Sequence, residues 1–389
     1  MRKRRGLTLV ELLMVIGVAS LLLAAAIPLL RLSLQDRKIR EAARQVNAFM
    51  ARAKARAAEL GRPVGVLIRR ADPAFANGSF YSQQLFLAES PPPYAGDDSF
   101  ADAQIPSPTD ANMDGVPDFG PYSAQLRSSA LAMLLVSPGD LIQFEFHQPL
   151  YEITALSQPD PSNQPDVVDV VFAPLRPPTP APPPPPTVNR RIPFQIYRSP
   201  IQLGAISATG QSVIRASGAP LDLPNGVVID LTVSGMEPTL NQFTAADPND
   251  LDTWTPSTVP DPTDVVIMFA PDGSVARVYH GVYVPVGGTP ALKTVGRDPS
   301  GMIFLLLGRL DQVQPSDPFA RGPDVVANLM DTRNFWIAIS PQTGRVITAE
   351  NASLESILPP PPAAVPPALK PTLLKAAREF AISPQDTGA

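Results

Sequence analysis

Residues 6–13 read Gly6-Leu7-Thr8-Leu9-Val10-Glu11-Leu12-Leu13, and the organisation of the chain follows from this stretch. Residues 2–5 before it are all basic, and residues 12–30 carry no charge. As a helix, residues 12–30 rise about 28 Å, close to the ~30 Å thickness of the hydrocarbon core of a bilayer. Glu11 therefore stands in a segment that can span a membrane, where a carboxylate costs about 2.5–3.5 kcal/mol. This cost indicates a partner for Glu11 within the membrane.

The run from Gly6 onward resembles the class III signal of type IV pilins and type II secretion pseudopilins. The resemblance implies cleavage by prepilin peptidase between Gly6 and Leu7, and N-methylation of Leu7 as the new first residue. It also implies an assembly role for Glu11, fifth after the cut, and a helix kink at Pro28, twenty-second after it. Leu7 departs from the phenylalanine that is usual at the first mature position. The Glu11 carboxylate would pair with the amino group at Leu7 of a neighbouring subunit, so that each charge offsets the desolvation of the other.

Two other interpretations of the first thirty residues stay open, a cleaved secretory signal and a plain membrane anchor. The run Ala24-Ala25-Ala26 resembles a signal peptidase site after an apolar segment. A secretory signal accounts for neither Gly6 nor Glu11, and a passive anchor does not require the carboxylate. The basic residues 2–5 predict a cytoplasmic amino terminus. We therefore expect a bacterial inner-membrane protein with a single pass, surrounded by lipid before assembly, whose body is periplasmic or otherwise extracytoplasmic.

Residues 31–60 form an amphipathic pattern after the apolar segment. Apolar side chains recur there at steps of three and four residues, at Ile39, Ala43, Val46, Met50, Ala53, Ala57 and Leu60, with Ala42 and Phe49 beside them. Gly61 and Pro63 are typical of a helix end. The sequence thus predicts one long helix from Leu7 to Leu60, kinked at Pro28, with a transmembrane half at 7–30 and an amphipathic half at 31–60 that packs on a sheet.

The remaining chain predicts a β-rich body and the α+β class. Short β-branched or alternating segments between turn residues indicate antiparallel strands at 63–70, 83–87, 141–147, 167–172, 192–197, 227–233, 265–269, 275–279, 302–307, 335–340 and 345–349. Two of the turns are hairpin signals, Pro271-Asp272-Gly273 and Pro341-Gln342-Thr343-Gly344. The hairpin over residues 335–346 resembles the end of H-type minor pseudopilins. That resemblance implies a minor pseudopilin with large insertions.

Proline accounts for 49 of the 389 residues, and its clusters divide the body. Residues 176–187 predict a stiff polyproline II linker between a first part at 61–175 and a second part at 188–350. The prolines of 359–367 mark another boundary within a proline-rich tail at 351–389. Residues 369–382 could form a short helix in that otherwise loose tail. The leader peptide, residues 1–6, completes this division.

One acidic loop is a candidate calcium site. Oxygen ligands stand at alternate positions, as in EF-hand, dockerin and thrombospondin-type loops, at Asp110, Asn112, Asp114, Val116 (through its carbonyl) and Asp118. Gly115 suits the sharp turn, but Pro121 occupies the twelfth position, where a bidentate glutamate is expected. An ordinary polar turn is the alternative. A calcium ion here would be structural, and no other cofactor is predicted.

Catalytic patterns are absent from the sequence. The chain has no cysteine and two histidines, His147 and His280, and it lacks phosphate-binding glycine loops, nucleophile elbows and H-E-x-x-H. The adjacent Asp97 and Asp98 lie among turn residues typical of a solvated loop. We therefore predict that the protein is not an enzyme.

The charge distribution bears on partners. Residues 1–70 carry fifteen basic and four acidic groups, whereas residues 71–389 carry sixteen basic and thirty-two acidic groups. The basic helix suggests nucleic acid as a ligand, but few aromatic residues interleave with its charges and the pI is about 5.2. Nucleic acid is therefore not a predicted partner.

The sequence favours a prepilin-like subunit, a minor pseudopilin, that assembles through its helix into a type II secretion pseudopilus or a type IV pilus. Its predicted partners are prepilin peptidase and other pilin or pseudopilin subunits. The alternative is a single-pass anchored extracytoplasmic protein that binds calcium or another ligand and does not polymerise.

Overall fold

The structure is a computed structural model that describes residues 9–96, 98–106, 122–127, 136–146, 149–156, 167–174, 190–202, 219–237, 243–244, 263–286, 289–322, 325–358 and 365–383. Side chains are described within these ranges except at 23–34, 201–202 and 283–293. A helix at the amino-terminal side, a body of antiparallel strands and a shorter carboxy-terminal helix make up this part of the chain. The predicted α+β class is confirmed.

The first helix, α1, runs from Leu9 to Leu60. It is followed by Gly61, whose φ of 62° lies in the left-handed region that a helix-terminating glycine adopts without steric cost. The helix end predicted from Gly61 and Pro63 is confirmed. The kink at Pro28 stays a prediction.

Eighteen strands and a second helix follow within the described residues. They are β1 (Val64–Arg70), β2 (Tyr81–Glu89), β3 (Asp102–Gln104), β4 (Tyr122–Arg127), β5 (Leu141–Phe144), β6 (Tyr151–Leu156), β7 (Val167–Pro174), β8 (Arg191–Ile192), β9 (Phe194–Tyr197), β10 (Ile201–Gln202), β11 (Leu221–Asp222), β12 (Val227–Met236), β13 (Val265–Phe269), β14 (Val275–Val286), β15 (Thr289–Arg297), β16 (Ile303–Arg309), β17 (Phe335–Ile339), β18 (Val346–Glu350) and α2 (Lys370–Ile382).

The larger sheet has eleven strands in the order β15-β14-β13-β1-β2-β12-β16-β17-β18, and β10 and β11 also pair with β2. Both hairpins predicted from turn residues are present, between β13 and β14 and between β17 and β18. Their turns place Gly273 at φ 89° and Gly344 at φ 56°. A side chain at either position would be strained, which is why glycine serves in these turns.

A second, separate sheet corrects the prediction of one sheet on one helix. Its seven strands follow the order β8-β3-β4-β7-β6-β5-β9. Only Pro193 separates β8, which pairs with β3, from β9, which pairs with β5. The two ends of the strand path are therefore covalently joined, and the sheet closes on itself. Proline suits this corner because it has no N–H to donate to a ladder.

The closed sheet has its own apolar interior. Four of its buried aromatic side chains pack together, with ring centroids 5.1–6.1 Å apart, at Tyr122, Phe144, Tyr151 and Phe172. Strand β5 ends at Phe144, before the predicted end at residue 147, because Glu145 and Phe146 adopt positive φ angles. The polyproline segment 176–187 lies outside the described residues, and the strands on either side of it, β7 and β8, belong to this one sheet.

The two faces of the larger sheet are covered by different helices. Side chains that point to α1 include Leu305, Leu307 and Ile337, whereas their strand neighbours Leu306 and Trp336 belong to the cluster formed with α2. This alternation follows from the two-residue period of a strand.

The carboxy-terminal segment is packed, which corrects the prediction of a loose tail. In α2, Leu373, Leu374, Ala377 and Ala381 are buried in the cluster on the outer face of the sheet. Their spacing of three and four residues forms an apolar stripe on one helix face. The prolines at 359–364 lie outside the described residues.

Candidate functional site

The candidate functional site is α1, whose two ends have opposite surroundings. Its first described turns expose apolar side chains, with Leu9 78%, Val10 73% and Met14 73% accessible. Glu11 lies in this exposed apolar section and is itself exposed. Gly6 and Leu7 lie outside the described residues. Within the described residues, no helix has a stretch of sufficient length and hydropathy to cross a membrane.

The second half of α1 is docked on the larger sheet through the predicted apolar face. Eight side chains on this face are buried, at Ile39, Ala42, Ala43, Val46, Phe49, Met50, Ala53 and Ala57. They pack against strands on both sides of the sheet centre, including Ile267 of β13 and Ile337 of β17. The amphipathic prediction is confirmed for these positions. Leu60 is 37% exposed, because it lies at the helix end next to Gly61.

A buried carboxylate fixes the carboxy-terminal end of α1. Glu89, at the end of β2, accepts hydrogen bonds from Arg56 Nε at 2.6 Å and from Arg62 Nη2 at 2.7 Å. The Glu89 side chain is only 7% exposed, whereas the two arginines keep about a third of their surface accessible. The two guanidinium groups, one before and one after the end of the helix, thus compensate the desolvation of one carboxylate.

Other polar side chains of α1 also contact the body. Lys54 Nζ donates to the carbonyl oxygen of Thr343 at 2.6 Å, and Asn47 Nδ2 donates to Thr348 Oγ1 at 2.6 Å. Lys38 Nζ donates to the carbonyl oxygen of Asn225. Several basic groups of the helix therefore serve in docking the helix on the strands and turns of its own chain.

Some of the polar sites predicted from the sequence lie outside the described residues, and the others have ordinary structural surroundings. The candidate calcium loop, Asp110 to Asp118, lies outside the described residues, as do His147 and Asp97. In the described part of the chain, no three His, Cys, Asp or Glu side chains are grouped as metal ligands. His280 is buried on β14, with Nδ1 3.1 Å from the carbonyl oxygen of Gly281. Asp98 Oδ1 accepts a hydrogen bond from the backbone N–H of Phe100, as in a polar turn.

Besides Glu89, the sequence reasoning missed other buried charged residues, among them Asp230 and Arg378. Asp230, on β12, accepts hydrogen bonds from Thr232 N at 2.9 Å and from Asn328 Nδ2 at 2.8 Å. Desolvation raises the pKa of Asp230 above its ordinary value, although these hydrogen bonds oppose the shift. No local signal marks Asp230, because it stands between Ile229 and Leu231 in a buried strand and its partner Asn328 is distant in sequence.

Arg378, on α2, was missed as well. Its Nη1 donates to the carbonyl oxygen of Glu237 at 2.5 Å and its Nη2 to that of Val233 at 2.6 Å. Its guanidinium also lies 5.0 Å from the ring centroid of Phe304. Burial lowers the pKa of Arg378 to about 9, so the guanidinium is charged at neutral pH. The sequence did contain an indication that Arg378 is buried, because Arg378 directly follows Ala377 of the apolar stripe of α2.

Comparison with known proteins bears on the amino-terminal segment that leads into α1. Residues 1–27 match a family model described as the prokaryotic N-terminal methylation motif. Comparisons with curated proteins and with solved structures give no match. The motif ends within α1, so the matched segment and the exposed apolar half of the helix overlap. The amino terminus of this chain therefore carries a prepilin signal of the type IV pilin and pseudopilin kind.

Proposed function

We propose that the protein is a prepilin-like subunit, a minor pseudopilin, that assembles through α1 into a type II secretion pseudopilus or a type IV pilus. The observation that carries the proposal is the methylation motif at residues 1–27, which overlaps a helix whose apolar side chains are exposed from Leu9 to Leu22. Its role is mechanical and assembly-directing, without catalysis. The large body would be hard to stack repeatedly, which favours a minor subunit near the tip.

The geometry of α1 supports different roles for its two halves, assembly for the first and attachment to the body for the second. Ile39, where the docked face begins, lies about 42 Å from Glu11 along the helix axis, at 1.5 Å per residue. The body therefore covers the far half of α1, and the exposed apolar side chains between Leu9 and Leu22 stay available to lipid or to other helices. We propose that residues 7–30 lie in the bacterial inner membrane before assembly, with residues 1–6 cytoplasmic and the body outside the cytoplasm.

Maturation and assembly would use the amino-terminal residues in sequence. Prepilin peptidase cuts between Gly6 and Leu7, and the new amino group at Leu7 is then methylated. In the filament, Glu11 of the incoming subunit pairs with the amino group at Leu7 of a neighbour. Two charges that are each costly in an apolar environment thereby offset each other. A kink at Pro28 would adjust the direction of the apolar half relative to the docked half.

The mature amino terminus tests the proposal directly. Mass spectrometry of the protein purified from its native membrane should find methylated Leu7 as the first residue. An intact Met1 would contradict processing and favour an anchored protein that does not polymerise. Ile27 as the first residue would indicate a secretory signal cut after residue 26, and would also contradict the proposal.

Glu11→Leu tests the charge pairing. We expect normal cleavage after Gly6 but at least a tenfold loss of incorporation into filaments, measured by quantifying the subunit in sheared filament fractions. Glu41→Leu is the control, because Glu41 is exposed on the docked half of α1. Incorporation of the Glu11→Leu protein at the level of the control would refute the pairing mechanism.

We also propose, from the sequence alone, that the loop from Asp110 to Asp118 binds a structural calcium ion. Carboxylate, amide and carbonyl oxygens at alternate positions are the ligands that calcium prefers. Isothermal titration calorimetry with calcium chloride should show one site that Asp114→Ala abolishes. Absence of binding at millimolar calcium would reduce the loop to an ordinary polar turn.

A further inference from the structure

A cleft of about 500 Å³ opens at the junction of β1, β2 and β11. Its lining is mixed in chemistry and includes Arg69, Asp72, Phe75, Gln83, Gln84 and Asp222. The volume lies within the range of about 300–1,000 Å³ that is usual for small-ligand sites. None of these side chains serves the docking of α1 described above, so the cleft requires its own explanation.

One wall of the cleft is the segment from Ala71 to Phe80, and it is firmly held. Arg70 is buried and donates to the carbonyl oxygen of Ser79, near the end of the segment, at 2.5 Å, while its other donors bind the carbonyl oxygens of Thr263 and Phe243 in the body. The backbone N–H of Ala71 donates to the carbonyl oxygen of Tyr81 at 3.0 Å and so joins the two ends of the segment. The start of the segment is a turn, in which Asp72 Oδ1 accepts from the backbone N–H of Ala74 at 2.8 Å. A wall fixed in this way is preorganised, which reduces the entropic cost of binding.

The opposite wall presents hydrogen-bonding groups side by side. Gln84 pairs with Asp222 across β2 and β11, and its Nε2 donates to Asp222 Oδ1 at 2.8 Å. Both side chains are exposed, so the second carboxylate oxygen and the amide oxygen can accept further hydrogen bonds. The Arg69 guanidinium lies 4.2 Å from the ring centroid of Phe86, which fixes the plane of its donors.

Phe75 is the unusual member of the lining. Its side chain is 63% exposed although the segment that carries it is held by hydrogen bonds at both ends. The ring therefore adds little to the core and presents an apolar face beside the polar groups of the cleft. An aromatic ring in such a place can stack against the apolar face of a ligand.

These groups favour a neutral polyhydroxylated ligand. A purely apolar ligand would bury the amide oxygen of Gln84 and the second carboxylate oxygen of Asp222 without new hydrogen-bond partners, at a cost of about 1–3 kcal/mol for each group. An anionic ligand would meet the carboxylates of Asp72 and Asp222, and the charge of Arg69 is already offset by Asp264, 3.9 Å away. A pyranose ring has a C–H face that stacks on an aromatic ring and hydroxyls that both donate and accept. We propose that this cleft binds a neutral oligosaccharide, stacked on Phe75 and hydrogen-bonded by Gln84, Asp222 and Arg69.

Saturation-transfer difference NMR on the full chain tests the site, in a detergent that has no sugar headgroup. The probes are chitotetraose, cellotetraose and maltotetraose, each at millimolar concentration. At least one probe should receive saturation on its ring protons. Phe75→Ala should weaken binding of that probe at least tenfold, and Asp222→Ala should weaken it severalfold.

Phe100→Ala is the matched control, because Phe100 is 71% exposed and does not line the cleft. Its binding should equal that of the unmodified protein, and circular dichroism should show all three variants folded. Absence of transfer to every probe would overturn the proposal. So would binding that Phe75→Ala retains in full. The assembly function does not depend on either outcome.

Discussion

The carboxylate of Glu89 links three parts of the chain through one side chain. It stands at the end of β2, and its two oxygens receive one arginine from within α1 and one from just after it. Because Glu89 is buried, the loss of either partner would leave part of a carboxylate without compensation. The orientation of the helix end on the sheet therefore depends on a contact between residues 27 to 33 positions apart.

Glu89→Gln should destabilise the protein by about 1–3 kcal/mol. Breaking a buried ion pair costs about 3–5 kcal/mol, but Arg56 and Arg62 are partly exposed and regain water, which lowers the cost. Urea unfolding followed by tryptophan fluorescence measures the change. Glu59→Gln is the control, since Glu59 is exposed near the same helix end and should change stability by less than about 0.5 kcal/mol. Equal effects of the two substitutions would contradict the role assigned to Glu89.

Among the elements, α1 depends on small side chains for its close approach to the sheet. Ala42, Ala43, Ala53 and Ala57 are at most 3% exposed and face buried strands. Protein interiors are packed at the density of organic crystals, so no space remains there for a larger side chain. The alanine content of this helix half is thus a property of its docked face as well as of helix propensity.

Ala57→Leu and Ala55→Leu separate these two contributions. Ala57 is completely buried, and the added atoms should cost about 1–3 kcal/mol through overpacking. Ala55 is exposed on the same helix, and leucine there should be nearly neutral because both residues favour helices. Urea unfolding midpoints of the two variants provide the comparison. If Ala57→Leu were as stable as Ala55→Leu, α1 would not be docked through this face.

The element α2 stabilises the outer face of the larger sheet. Its apolar stripe covers Phe304 and Trp336, and Arg378 donates to two carbonyl oxygens at the end of β12. The pairing of β12 with β16 is irregular between Asp230 and Gly235, so the ladder there leaves backbone groups that need other partners. Arg378 supplies one of these hydrogen bonds, to Val233, and donates a second to Glu237 just after the strand, from a helix that follows more than 130 residues later.

At the scale of the whole molecule, the closed sheet is an insertion into the larger one. Strands β3 to β9 lie in sequence between β2 and β10, both of which belong to the larger sheet. The interior of the closed sheet and the core under α1 are separate clusters of buried residues. Two cores of this kind can lose structure separately.

Phe172→Ala should unfold the closed sheet before the larger one. Phe172 is completely buried among three other aromatic rings, and its removal should cost about 3–5 kcal/mol. In hydrogen-exchange mass spectrometry, peptides from β4 to β7 should lose protection while peptides from β12 and β16 keep theirs. Ile337→Ala, in the core under α1, should give the reverse pattern. Simultaneous loss of protection in both sheets would show that the molecule unfolds as one unit.

Local patterns in the sequence determined several features without reference to the rest of the chain. The prepilin signal at residues 1–27 is a short linear motif, so it can be identified without the rest of the chain. The docked face of α1 was predictable because the side-chain period of a helix shows which positions share a face. Turn residues such as Gly273 and Gly344 marked hairpins because their φ angles are a local requirement.

The tertiary structure alone decided which strands share a sheet and what covers each face. Periodicity identifies a strand but not its partner, so the second sheet and its closure at Pro193 could not be predicted from the sequence. The same reason applies to Glu89 between its two arginines, to the carbonyl partners of Arg378 and to the cleft beside Phe75. Each depends on contacts between residues that are distant in sequence, and their free energy appears only when the chain is packed. The sequence therefore determined how the chain begins and which helix face docks, and the fold decided what that helix docks on.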